Sequence, residues 1–82
     1  MVTLEQKNAP VNSKWWQRLL AEVGISQNRL AQEIDMDKGG LSKRLGGFLD
    51  FKRREAREIA KALYIDENEA MAELIDKPQK GR

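Results

Sequence analysis

The chain has 82 residues, with 15 basic and 13 acidic side chains, and contains neither histidine nor cysteine. That length suits one small domain. The missing residue types exclude disulfides, thiolate metal sites and a thiol nucleophile, and remove the commonest general base and metal ligand, so no enzyme, metal or cofactor is expected. The net charge of +2 hides a polarised arrangement: residues 38–61 carry eight basic groups against three acidic ones, while residues 65–76 carry five acidic groups and no basic one. A chain with one basic and one acidic segment has a directional field that favours a polyanion on one side.

In chain order, residues 1–12, MVTLEQKNAPVN, show no sustained period and contain Pro10. They read as a flexible arm. They lack a basic start followed by an apolar stretch, so no signal peptide is expected. No apolar run approaches the roughly 20 residues of a membrane span, and a cytoplasmic location is the default expectation. Ser13 can cap a first helix, whose apolar stripe is Trp15, Trp16, Leu19, Leu20 and Val23. Trp15 and Trp16 read as core, with stacking on bases as the alternative. Gly24 is placed to end this helix. Ser26 can cap the next, SQNRLAQEI, with Leu30, Ala31 and Ile34 facing inward.

Asp35 and Met36 make a tight turn, and Asp37 can cap a third helix, KGGLSKRL, which Gly46-Gly47 stop. Gly39 and Gly40 fall in its first turn, although glycine costs a helix interior roughly 1 kcal/mol against alanine. Close approach of the backbone to a flat or charged partner would account for them; weak selection for helix strength is the alternative. Asp50 is expected to cap a fourth helix over about 51–63, with Ala56, Ile59, Ala60 and Leu63 inward. Asp66 and Glu69 form a capping-box pattern for a fifth helix carrying Ala70, Met71, Leu74 and Ile75. Met71, Leu74 and Ile75 either complete the core or form a two-fold dimer interface. Pro78 marks the end, and residues 77–82 read as a disordered basic tail. The domain is thus expected over 13–76: five short helices, no strand, no repeat.

Two short helices joined by a three- or four-residue turn, the second of them basic, are the elements of a helix-turn-helix. The run ISQNRLAQEIDMDKGGLSKRLGG followed by FLDFKRREAREIAKALYIDENEAM resembles the lambda-repressor and Cro-like (XRE) family of helix-turn-helix regulators. The resemblance covers about Trp15 to Leu74. Its more specific features are Gln27, Leu30-Ala31, Leu41, Gly47 and Ala60-Lys61-Ala62-Leu63 at the family spacing. Asp35 stands where the family usually has glycine, and Arg44 where it usually has a core aliphatic.

The resemblance implies an all-α, compact five-helix lambda-repressor-like DNA-binding domain. It implies double-stranded DNA as partner, with the third helix in the major groove, which admits one helix. Gln27 matches the family glutamine that bonds a backbone phosphate. Lys38, Gly39, Ser42 and Lys43 lie where bases are read, and Arg44, Lys52, Arg53 and Arg54 are assigned to phosphates. The expected function is a sequence-specific transcriptional regulator, a repressor acting as a homodimer on a palindromic operator, in a phage, prophage or plasmid setting. No small-molecule ligand is expected, and regulation would come through protein level or a partner. Two alternatives stay open: an antitoxin-type DNA binder that also holds a toxin, and a protein–protein adaptor using the helix-turn-helix as a scaffold.

Overall fold

The side-chain oxygen of Asn12 accepts the backbone N–H groups of Lys14 and Trp15 and starts the first helix, α1, Ser13–Val23. The cap is therefore Asn12, one residue before the serine expected from the sequence. The computed structural model describes residues 6–80; the expected arm over 1–5 and tail over 81–82 lie outside the described residues. Gly24, at φ 77°, ends α1 in the left-handed conformation that glycine adopts without steric cost.

Ser26 caps α2, Gln27–Glu33, by accepting the Arg29 N–H at 3.1 Å. Asp35 turns the chain at φ 55°, which explains why a glycine-like position occurs there. Asp37 then caps α3, Lys38–Leu45, through the Gly40 N–H at 3.1 Å. The two helices close on each other through Leu30, Ala31, Ile34 and Leu41, all buried, with Met36 packed against them.

α4, Arg53–Leu63, is not capped by Asp50. Its start is held by Glu55, whose carboxylate accepts the Lys52 N–H at 2.8 Å, while Asp50 accepts instead from the Asn8 side-chain amide. α5, Glu67–Met71, begins with Asp66 accepting the Asn68 N–H at 2.6 Å. The reciprocal half of the expected capping box is replaced: the Glu69 carboxylate accepts the Trp15 indole N–H at 2.8 Å and docks α5 on α1.

The chain does not stop at Pro78. It passes through one π-helical turn, Ala72–Asp76, into α6, Lys77–Lys80, with helical backbone angles at both junctions. The Lys77 N–H reaches the carbonyl of Ala72, five residues back. In a straight α-helix the proline ring would meet the carbonyl four residues earlier; the wide turn absorbs that conflict. Residues 77–80 are thus helical, and Pro78 is buried, rather than forming a loose tail.

The core is a single cluster running from Val11 through Trp15, Trp16, Leu19, Leu20, Leu30 and Leu41 to Ile59, Leu63 and Leu74. Among the described residues the chain is all-helical, and no helix is long and apolar enough to cross a membrane. Residues 6–12 form no helix but are not a free arm either. Val11 is buried, and backbone N–H groups of this segment bond the end of α3 and the carbonyl of Pro78.

Candidate nucleic-acid interface

α3 is the most weakly embedded of the helices expected to carry function. Of its eight residues only Leu41 is buried. Lys38, Ser42 and Lys43 are exposed, and Gly39 and Gly40 are half-buried in its first turn. The start of α4 adds Lys52, Arg53 and Arg54, all exposed. These two groups adjoin because one carboxylate oxygen serves both helices. Glu55 Oε1 accepts the Lys52 N–H and also pairs with Arg44 Nε at 3.2 Å. Lys43, next to Arg44, therefore lies on the element held against the first turn of α4.

The ion pairs sort the surface cations. Arg18–Glu22, Arg29–Glu33, Arg57–Glu67 and Lys77–Glu73 pair on the outside of the domain. Among the described residues, Lys38, Lys43, Lys52, Arg53 and Arg54 make no ion pair; Lys7, Lys14 and Lys61 share that property elsewhere. Cations in the first turn of α4 oppose the helix dipole. Unpaired N–H groups at that end attract anions, so an anionic partner would relieve the conflict.

Arg44 does not belong with the phosphate-facing set. Its guanidinium bonds Glu55 and, through Nη1, the Gly40 carbonyl at 3.0 Å, and the two charged side chains are only 19% and 12% exposed. It staples α3 to α4. The same staple explains Gly40: a Cβ there would lie 2.9 Å from Arg44 Nη1, part of a guanidinium held by two acceptors, the Gly40 carbonyl at Nη1 and the Glu55 carboxylate at Nε. At Gly39 a Cβ would come 3.0 Å from the Asp37 Oδ2 that caps the helix. The glycine pair thus has a reason inside the molecule, the fit of the cap and the staple, and close approach to a partner is not needed to account for it.

Gln27 is half-buried, with its side-chain oxygen accepting the Trp16 indole N–H at 3.0 Å. That bond fixes the amide and leaves its NH2 end as the donor for an outside acceptor. Both tryptophans are buried, so base stacking by them is ruled out. Leu74 is 2% exposed and belongs to the core, where an interface with a second copy cannot reach it; Met71 and Ile75 are half-buried and pack on the same core.

Sequence reasoning missed two residues, Asn8 and Glu55, and gave Gly47 as a helix stop and a family-spaced glycine without its contact to Asn8. Glu55 lies three residues after Lys52, the spacing of a capping carboxylate, and that signal was available. Asn8 and Gly47 meet only through the fold. Compared with known proteins, the chain matches no family model, no curated protein and no solved structure.

Proposed function

We propose that the protein is a sequence-specific, double-stranded-DNA-binding transcriptional regulator of the lambda-repressor-like helix-turn-helix type, with α3 in the major groove. It acts as a repressor, two copies on a palindromic operator. The observation that carries the reading is the sorting of cations. All five exposed basic side chains on α3 and the adjoining start of α4 are left without carboxylate partners, while elsewhere among the described residues Arg18, Arg29, Arg57 and Lys77 are paired and Lys7, Lys14 and Lys61 are not. In this reading Lys38, Ser42 and Lys43 face base edges, lysine suiting the O6 and N7 acceptors of guanine. Gly39 lies within the same base-facing turn. Gln27, Lys52, Arg53 and Arg54 bond phosphates and set the register.

The size of the domain is compatible with paired occupancy. Its extents are 37, 25 and 23 Å, the two shorter ones less than the ~34 Å separation of neighbouring half-sites. Two copies fit side by side on one face of a duplex when a shorter axis lies along it. Met71 and Ile75, on the acidic C-terminal helix, are the apolar side chains assigned to that contact.

Selection of bound duplexes from a random-sequence pool at physiological salt tests the reading. The expected result is an inverted repeat with half-site centres about one helical turn apart. On the selected site, Lys43→Ala should relax preference at one position and cost about 1–3 kcal/mol there. Arg53→Ala should weaken all duplexes alike. Retention of no duplex at all would make the two-helix unit a scaffold for protein partners, and identical behaviour of the two variants would remove the division between readers and anchors.

A further inference from the structure

α3 has one buried residue, two glycines in its first turn, and a carboxyl end that needs partners for its last carbonyls. Those partners come from residues 6–12. The Lys7 and Asn8 N–H groups both donate to the Gly47 carbonyl at 2.9 Å, the Val11 N–H donates to the Leu45 carbonyl at 2.8 Å, and the Gln6 side-chain amide donates to the Gly46 carbonyl at 2.8 Å. Three successive carbonyls at the end of α3 are thus satisfied by one extended segment.

The segment is itself fixed at three further points. Val11 is in the core. The Ala9 N–H donates to the Pro78 carbonyl on the C-terminal helix at 3.0 Å. Asn8 is 9% exposed, and its side-chain amide donates to Asp50 in the connection between α3 and α4. Gly47 completes the fit. It sits at φ 88°, and a Cβ there would lie 2.2 Å from the Asn8 carbonyl oxygen, so only glycine lets the two backbones meet.

We propose that residues 6–12 are a strap that positions α3, and that Asn8 is its positioning residue, joining the strap to the α3–α4 connection through Asp50. The inference rests on the DNA-binding reading of α3, since a helix that reads base edges must be held in one orientation. Asn8 touches no DNA in this account. It acts through the end of α3.

The test uses the full chain, isotopically labelled, with two readouts: amide hydrogen exchange by NMR, and affinity for the duplex that the unaltered chain selects. Asn8→Ala should speed exchange at Lys7 and Val11, and at Gly46 and Phe48, whose N–H groups bond carbonyls of the last turn of α3, while α1 and α4 amides keep their protection. Affinity should fall roughly tenfold, the scale of one hydrogen bond to a charged group lost. The paired exchange Asn8→Asp with Asp50→Asn restores a donor and an acceptor and should recover both readouts. Should Asn8→Ala fail to fold, Asp50→Ala removes the same bond from its exposed end and should give the same pattern. Faster exchange with unchanged affinity would overturn the proposal, as would a loss of affinity with unchanged exchange at Gly46 and Phe48. If the unaltered chain binds no duplex, the DNA-binding reading falls separately, and exchange at Gly46 and Phe48 alone decides whether the strap holds α3.

Discussion

Arg44 and Gly40 illustrate how one residue's role depends on another's absence of a side chain. A mostly buried ion pair that loses one member leaves a desolvated charge behind. Here the Glu55 carboxylate would keep the Lys52 N–H, which moderates the loss. Arg44→Ala should therefore lower stability by about 2 kcal/mol, less than for a fully enclosed pair. Gly40→Ala should bring no gain in the presence of Arg44, because the added methyl group displaces Nη1. In the Arg44→Ala background the same substitution should stabilise by about 1 kcal/mol, the ordinary helix propensity difference. Urea unfolding of the four proteins checks this. Equal stabilisation by Gly40→Ala in both backgrounds would show that the glycine does not serve the staple.

Among the helices, the parts legible from sequence are those whose cause is local. The apolar stripe of α1, the serine and aspartate caps of α2 and α3, and the glycine after α1 each follow from residues within one or two turns. What was not legible depends on contacts across the chain. Asp50 looks like a cap but is engaged by Asn8, 42 residues earlier in sequence. Glu69 has capping-box spacing but binds Trp15, 54 residues away. The arm of residues 6–12 has no periodicity because its bonds are backbone donors to the end of another helix. Pro78 reads as a stop, and only a widened turn lets the helix pass it. For the site, exposed Lys38, Ser42, Lys43, Lys52, Arg53 and Arg54 could be picked out from charge and spacing, whereas the withdrawal of Arg44 could not, since it depends on where Glu55 lies in three dimensions.

The docking of α5 on α1 gives a test at the same scale. Trp15→Phe removes the indole donor and also part of a buried ring, and should cost about 1 kcal/mol for the hydrogen bond plus a further packing loss. Glu69→Ala should cost about 1 kcal/mol, and the double variant little more than Trp15→Phe alone, because both changes remove the same hydrogen bond. Thermal unfolding of the set reads the coupling. Fully additive losses would mean that Glu69 and Trp15 stabilise the helix pair independently.

Over the whole molecule, charge is divided along the chain and sorted by pairing. Residues 65–76 hold five acidic groups and no basic one, with Arg57 and Lys77 drawn into pairs with Glu67 and Glu73. Apart from Arg44, the basic groups of α3 and the start of α4 stay open to solvent. Such a field orients the domain toward a polyanion before any specific contact forms. Neutralising phosphates releases condensed counterions, so affinity for duplex DNA falls linearly with salt on logarithmic axes. The measurement that bears most directly on this account is the affinity of the full chain for duplex DNA across a salt series, with Arg53→Ala beside it. The account predicts a steep decline for the unaltered protein and a slope reduced by about one for Arg53→Ala. Absence of duplex binding at low salt, or binding that does not change with salt, would contradict it.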